Sequence, residues 1–158
     1  MRWLALFALL IASAAVAPAQ AAENPLCKLF TQKEASAYVG ATVGEGESSL
    51  IPGASGCSWS NEDADNKMSV SVFPAGNALQ LKAWGFESWE GFRSVPGIGA
   101  KAYVARSPVM EIMGRKMGGE WQAGAIVGND YIAVGMKGPK ANADAVQSLL
   151  KDAIGRRR

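Results

Sequence analysis

The stretch that most constrains the fold is GCSWSNEDADNKMSVSVF, Gly56–Phe73. Its second half, Lys67–Phe73, alternates apolar residues with serines, which is the period of a strand with one buried face. A polar run, Asn61–Asn66, separates the two halves and is typical of a turn. The sequence therefore predicts a β-hairpin that carries Cys57 on its first strand.

The N-terminus has the layout of a secretory signal peptide. Arg2 precedes an apolar run, Leu4–Val16, and Ala17–Ala21 ends in a small-x-small pattern, so cleavage is expected after Ala21. The run of about 13 residues is shorter than the roughly 20 that a transmembrane helix needs. An uncleaved N-terminal anchor is the alternative. We expect residues 1–21 to be removed and the mature chain, without a transmembrane segment, to be periplasmic or secreted.

Cys27 and Cys57 are the two cysteines of the chain, and an even count in an exported protein predicts a disulfide. Other roles fit less well. The chain has no histidine. A zinc site requires four ligands, and a cysteine nucleophile usually requires a histidine base. A redox pair is typically Cys-x-x-Cys, and Asn24–Leu26 does not suit lipidation of Cys27. A disulfide closing a loop of about 30 residues contributes roughly 3.5 kcal/mol.

The composition and length of the chain limit which partners and how many domains are expected. The chain has 16 basic and 14 acidic residues, and three of the basic ones are Arg156–Arg158, so we expect no basic stripe and no nucleic-acid partner. The mature length suits one domain, which we place at 22–155. We interpret 156–158 as a basic, disordered tail; contact with anionic lipid is the alternative.

The spacing of apolar residues and the positions of turn-forming and capping residues predict an α+β fold. Thr31–Glu34 is a capping box that begins a helix ending at Gly40. A second helix is predicted from Asn77 to near Gly91, and Pro139 opens a C-terminal helix with a buried stripe. Further strands are expected at about 100–106, 109–116, 119–127 and 130–136. We expect a single domain with an antiparallel sheet of about five to seven strands and the helices, including the N-terminal and C-terminal ones, packed on one face.

Three short motifs carry a resemblance. Cys27 stands just before Leu29-Phe30-Thr31, Cys57-x-Trp59 follows, and Val95–Tyr103 reads VPGIGAKAY. Together they resemble small secreted or lipoprotein domains of the bacterial cell envelope that carry no assigned function. The resemblance implies the same fold and compartment and transfers no catalytic residue. We expect this chain to lack the lipid anchor that is common among those proteins.

No motif in the sequence predicts catalysis. The absence of histidine removes the commonest general base, the Ser-His-Asp triad and most catalytic metal sites. Gly97–Ala102 matches G-x-G-x-x-A but leads into a strand, Ser148 of an S-x-x-K match lies deep in a helix, and Asp63–Asn66 lacks the rest of a calcium loop. We expect no enzyme and no cofactor. An enzyme would need a carboxylate base such as Glu87, Glu90 or Glu111.

Met110, Met113 and Met117 have the spacing of one helical face, and thioethers favour Cu(I) in exported proteins. The alternation through Val109, Glu111 and Met113 instead indicates a strand. Pairing of such a strand would put Met110 and Met113 on opposite faces. We therefore expect ordinary packing of these side chains and no metal site.

The segment WGFESWEGF, residues 84–92, concentrates aromatic side chains. Most of them should be core, but one helical stripe cannot bury them all. An exposed aromatic platform would be a binding surface. The candidate surface consists of Trp84, Phe86, Trp89 and Phe92, with Trp89 as the ring expected to be exposed.

Two functions are compatible with these observations. The first is an exported, non-catalytic module that binds an envelope protein or polymer of unknown identity. The alternative is a carrier or sensor of a small apolar ligand, with a pocket between sheet and helices. A clear cavity favours the carrier, and a filled core with surface aromatics favours the module.

We expect protein from the exported fraction to begin at Ala22 and to contain no free thiol, because the leader is cleaved and the cysteines are paired. Intact-mass measurement with thiol labelling under non-reducing conditions checks both points. Two reactive thiols in the native protein would contradict the disulfide, and an intact leader would contradict the cleavage site.

Overall fold

The computed structural model describes residues 24–76 and 85–157, without the side chains of residues 50 and 51. The predicted leader lies outside these residues. The helices are α1 (Gln32–Val39) and α2 (Ala143–Arg156). The strands are β1 (Glu47–Ile51), β2 (Ala54–Ser60), β3 (Lys67–Pro74), β4 (Glu90–Ser94), β5 (Ala100–Arg106), β6 (Met110–Ile112), β7 (Arg115–Met117), β8 (Trp121–Val127) and β9 (Asp130–Lys137).

Seven of these strands form one sheet in the order β1-β2-β3-β9-β8-β5-β4. Each neighbouring pair is antiparallel, and β6 and β7 pair with each other in a separate hairpin. The α+β class, the antiparallel sheet and the N-terminal and C-terminal helices are confirmed. The packing of the helices on one face stays a prediction.

The hairpin predicted from Gly56–Phe73 is β2 and β3, which pair in continuous register. Cys57 lies on β2 and is fully buried. It forms the expected disulfide with Cys27, with Cα atoms 5.2 Å apart. The Asn24 side chain supports this attachment, because its Nδ2 donates a hydrogen bond to the carbonyl of Gly56 at 2.6 Å. The chain before α1 is therefore fixed to the sheet.

Both helices begin where a polar side chain satisfies the first free amides. Thr31 and Glu34 form the predicted capping box of α1, which ends at Gly40 in the left-handed conformation, with φ of 82°. The cap of α2 is Asn142, three residues after the predicted start at Pro139. The predicted buried stripe of α2 consists of Val146, Leu149, Leu150, Ala153 and Ile154.

The segment predicted as a helix from Asn77 has another structure where it is described. Residues 77–84 lie outside the described part. From Gly85 the chain makes a single 3₁₀ turn, Phe86–Ser88, and then enters β4. Gly85 and Gly91 have φ near +65°, which is incompatible with a right-handed helix.

The end of the chain differs from the expected disordered tail. Arg156 is the last residue of α2, and its guanidinium donates to Glu34 at 2.9 Å and to the carbonyl of Leu29 at 2.7 Å. The hydrogen bond from Arg156, followed by that from the Thr31 amide, lowers the pKa of the Glu34 carboxyl to about 2. Arg157 pairs with Asp130 at 2.8 Å. Arg156 therefore continues the helix, Arg157 caps it, and both pair with acidic residues. Arg158 lies outside the described residues.

We expect Cys27→Ser to lower the free energy of unfolding by about 2–5 kcal/mol, because the disulfide restricts the unfolded chain. Cys57→Ser should cost at least as much, since it also places a hydroxyl at a fully buried position. Urea unfolding measures both variants, with reduced wild-type protein as the control. An unchanged midpoint in all three samples would show that the bond contributes no stability.

Candidate functional site

The alternation of β9 places apolar side chains on both faces of the sheet. Ile132, Val134 and Met136 belong to the larger core, which also contains the buried residues of α1 and α2. Tyr131 and Ala133 point to the opposite face and belong to a second cluster. The second face of the sheet is therefore partly apolar, and other side chains must shield it from water.

We call the second group of side chains the aromatic cluster. Its buried members are Phe86, Tyr103, Ala105 and Tyr131, and the half-buried residues packed against them are Phe73, Trp89, Phe92, Ile126 and Ala133. The 3₁₀ turn Phe86–Ser88 lays the Phe86 ring on that of Tyr103, with centroids 4.8 Å apart. Trp89 meets Phe86 edge to face at 4.4 Å. Offset and edge-to-face contacts of this kind are the favourable geometries for aromatic pairs.

Small residues in the middle of the sheet make room for the aromatic cluster. Ala133 and Gly124 are register partners between Ser71 on β3 and Tyr103 on β5. A Cβ atom at Gly124 would lie 2.3 Å from the hydroxyl oxygen of Tyr131, so a larger residue there would displace the ring. The glycine lets the Tyr131 ring lie across the strands.

This placement brings the hydroxyls of Tyr103 and Tyr131 within 2.8 Å of each other. Burial raises the pKa of Tyr131 to about 12, although the hydrogen bond shared with Tyr103 acts in the opposite direction. Burial raises the pKa of Tyr103 further. Both phenols are neutral at physiological pH and are therefore poor general bases. The bond between them uses one O–H donor and leaves the other for a third group.

An open cleft of about 770 Å³ adjoins the aromatic cluster. Its described walls come from β4, β5, the end of β8 and the 3₁₀ turn, and its apolar lining includes Phe86, Phe92, Val95, Pro96, Tyr103 and Ile126. Glu87, Ser94 and Lys101 supply polar groups. A hollow of about 140 Å³, lined in part by Ser69, Ser71 and Gln122, shares Phe86, Tyr103 and Tyr131 with it.

Lys101 owes its position to an irregularity in β5. The register of β5 with β8 shifts between Ala100 and Tyr103, and Lys101 has φ of 51°. Such a bulge re-aims a side chain at the edge of a sheet. Lys101 is exposed and has no ion pair among the described residues, so its charge is available to a ligand in the cleft.

The four predicted surface aromatics occupy different positions. Phe86 is buried, with 6% of its surface exposed, while Trp89 and Phe92 are half-buried at the edge of the cluster. Trp84 lies outside the described residues. Trp89 is therefore not the fully exposed ring that was expected, because the turn at Gly85 folds it back against Phe86.

Sequence reasoning missed the strand residues of the site. The sequence predicts only strands at Tyr103 and Tyr131, and it carries no functional signal at Ile126 or Lys101. A glycine at position 124 inside a strand was the available indication of a close approach. Identifying Tyr131 as the approaching group required the register of β8 with β9.

The predicted packing of the methionines is wrong for the segment that carries them. Met110, Met113 and Met117 are 53%, 98% and 53% exposed. Met113 lies in the turn between β6 and β7, so it is not a strand residue on the face opposite Met110. Elsewhere in the described chain, His, Cys, Asp and Glu side chains form no group of three that could hold a metal ion.

No protein family, curated protein or solved structure matches this chain. The resemblance to cell-envelope domains thus stays a prediction. Within residues 24–76 and 85–157, neither α1 nor α2 has the length and apolar character that a bilayer crossing demands.

We expect Phe86→Ala to lower the free energy of unfolding by about 3–5 kcal/mol, as for other buried aromatic truncations. Trp89→Ala removes a half-buried ring and one aromatic contact, so its cost should be about 1–2 kcal/mol. Chemical denaturation compares the two variants. A change within about 0.5 kcal/mol for both would place the rings at the surface.

Proposed function

We propose that this chain is an exported, non-catalytic domain that binds a small apolar ligand in the cleft beside the aromatic cluster. The observation that carries the proposal is the cleft itself. Its volume of about 770 Å³ falls within the roughly 300–1,000 Å³ typical of small-molecule pockets. Its lining is mostly apolar and aromatic, with few polar groups, which is also typical.

The lining indicates the chemistry of the ligand. The faces and edges of Phe86, Phe92 and Tyr103 favour a flat or aliphatic body. The remaining phenolic O–H of the Tyr103–Tyr131 pair suits a carbonyl or hydroxyl oxygen. Lys101 and Glu87 carry opposite charges and both line the cleft, so the proposed ligand carries no large net charge.

The rest of the fold is consistent with this role. In the proposal the helices pack on one face of the sheet, and the opposite face is left to the aromatic cluster and the ligand. The disulfide suits an oxidising compartment, as does the signal peptide predicted for residues 1–21. The resemblance to envelope domains adds the same compartment, periplasmic or secreted.

A second candidate is the interaction module that binds an envelope protein or polymer. It is supported by Trp89 and Phe92, whose rings are only half-buried, and by β4, which lies at the edge of the sheet. Exposed aromatic edges and an unpaired strand edge are both common contacts for a partner. In this proposal the cleft has no small-molecule role.

The cleft can be tested with N-phenyl-1-naphthylamine, a neutral apolar probe that becomes fluorescent in apolar pockets. We expect saturable binding to the wild-type protein. Ser94→Trp should weaken it strongly, because Ser94 is exposed and lines the cleft, so an indole there occupies part of the space without disturbing the core. Ser55→Trp, the same change at an exposed position of β2 outside the described lining, is the control.

The outcomes separate the two candidates. Binding that Ser94→Trp weakens and Ser55→Trp retains supports the ligand cleft. Absence of saturable binding to wild-type protein, or equal binding by both variants, would contradict it. Thermal midpoints of the variants, which should match that of the parent within a few degrees for a surface change, show whether loss of binding reflects unfolding.

A further inference from the structure

The hairpin of β6 and β7 presents an unusual apolar surface to solvent. Within the described residues, the large hydrophobic side chains that are exposed all lie between residues 109 and 117. They are Val109, Met110, Ile112, Met113 and Met117. Three of these five side chains are thioethers, although leucine or isoleucine would supply apolar area equally well.

The turn places one thioether at the tip of the hairpin. Met113 and Gly114 connect β6 to β7 and have φ of 51° and 75°. Two consecutive residues with positive φ are the signature of the tight turn that suits a two-residue hairpin. Met113 is 98% exposed there, so its sulfur is free to turn toward the face of the hairpin.

The register of the hairpin places the other two thioethers side by side. Met110 on β6 is the direct partner of Met117 on β7. Side chains of direct partners lie on one face, with Cβ atoms about 4.5–5.5 Å apart. A methionine sulfur lies two bonds beyond Cβ, so one ion can bridge the two sulfurs.

A second pair of methionines in the same chain differs from the hairpin pair in its burial. Met68 and Met136 are also register partners, but both are fully buried in the larger core. Their role is packing. The hairpin pair has the same geometry in contact with solvent, where its sulfurs remain accessible to an ion.

We propose that the β6–β7 hairpin binds a soft monovalent ion, Cu(I) or its analogue Ag(I), through the sulfurs of Met110 and Met117, with Met113 as the third thioether. Soft thioether ligands select such ions. Cys27 and Cys57 are locked in the disulfide, so no thiolate among the described residues competes. The site is independent of the proposed function.

Charges near the pair are compatible with a monovalent cation. Glu111 and Lys116 are register partners of each other and therefore share the face opposite Met110 and Met117. Arg115 shares the methionine face but is exposed. Because its guanidinium is in contact with water, the high dielectric constant weakens its repulsion of a single positive charge, and the thioether chemistry decides binding.

The test uses protein labelled with [¹³C-methyl]methionine and titrated with Ag(I) nitrate in chloride-free buffer. Methyl resonances of Met110 and Met117 should shift first and together, and that of Met113 should follow. Resonances of Met68 and Met136 should not move, because those side chains are fully buried. Shifts of all five resonances together would indicate a global effect and overturn the site.

Leucine variants supply the affinity measurement. Met110→Leu and Met117→Leu should each weaken Ag(I) binding by about tenfold or more, since each removes a ligand that apolar area cannot replace. Met113→Leu should weaken it less. The control is Ile112→Leu, which changes the same strand without removing sulfur. Unchanged affinity in Met110→Leu and Met117→Leu, or no Ag(I) binding by wild-type protein, would overturn the proposal.

Discussion

The pairing of β3 with β9 is the constraint on which the rest of the structure depends. It joins the N-terminal strands β1-β2-β3 to the C-terminal group β9-β8-β5-β4 through eight register pairs. A continuous row of buried residues crosses the sheet as a result, from Cys57 through Val70, Val134 and Ala123 to Val104. The larger core forms on this row, and the disulfide fixes its N-terminal end.

The same pairing creates the second face. Shifting β9 by one residue would exchange Tyr131 with Ile132 and turn every side chain of the strand to the other face. In the observed register, Ala133 and Gly124 lie together, and the space above them is taken by the Tyr131 ring. The aromatic cluster and the cleft beside it are therefore consequences of the core register, although they face away from that core.

Several polar contacts at the surface join α1 to the C-terminal part of α2. The Tyr38 hydroxyl donates to Asp152, and Arg156 pairs with Glu34 in the first turn of α1 while its guanidinium lies 4.3 Å from the Phe30 ring centre. Exposed ion pairs of this kind contribute little individually. Together they hold α1 against the last turn of α2, which explains why the basic residues at the end of α2 are part of the folded domain.

The sequence by itself determined the local elements and the covalent link. Alternation identified the strands of the β2–β3 hairpin, Thr31 and Glu34 marked the start of α1, and two cysteines in a chain predicted to be exported indicated the disulfide. These features depend on neighbours within a few residues or on residue counts. Tertiary structure alone decided which strands are partners, since register is set by packing across the sheet. It therefore decided that Tyr131 lies over Gly124, that Phe86 is buried while Trp89 is half-buried, and that Met110 faces Met117 in solvent.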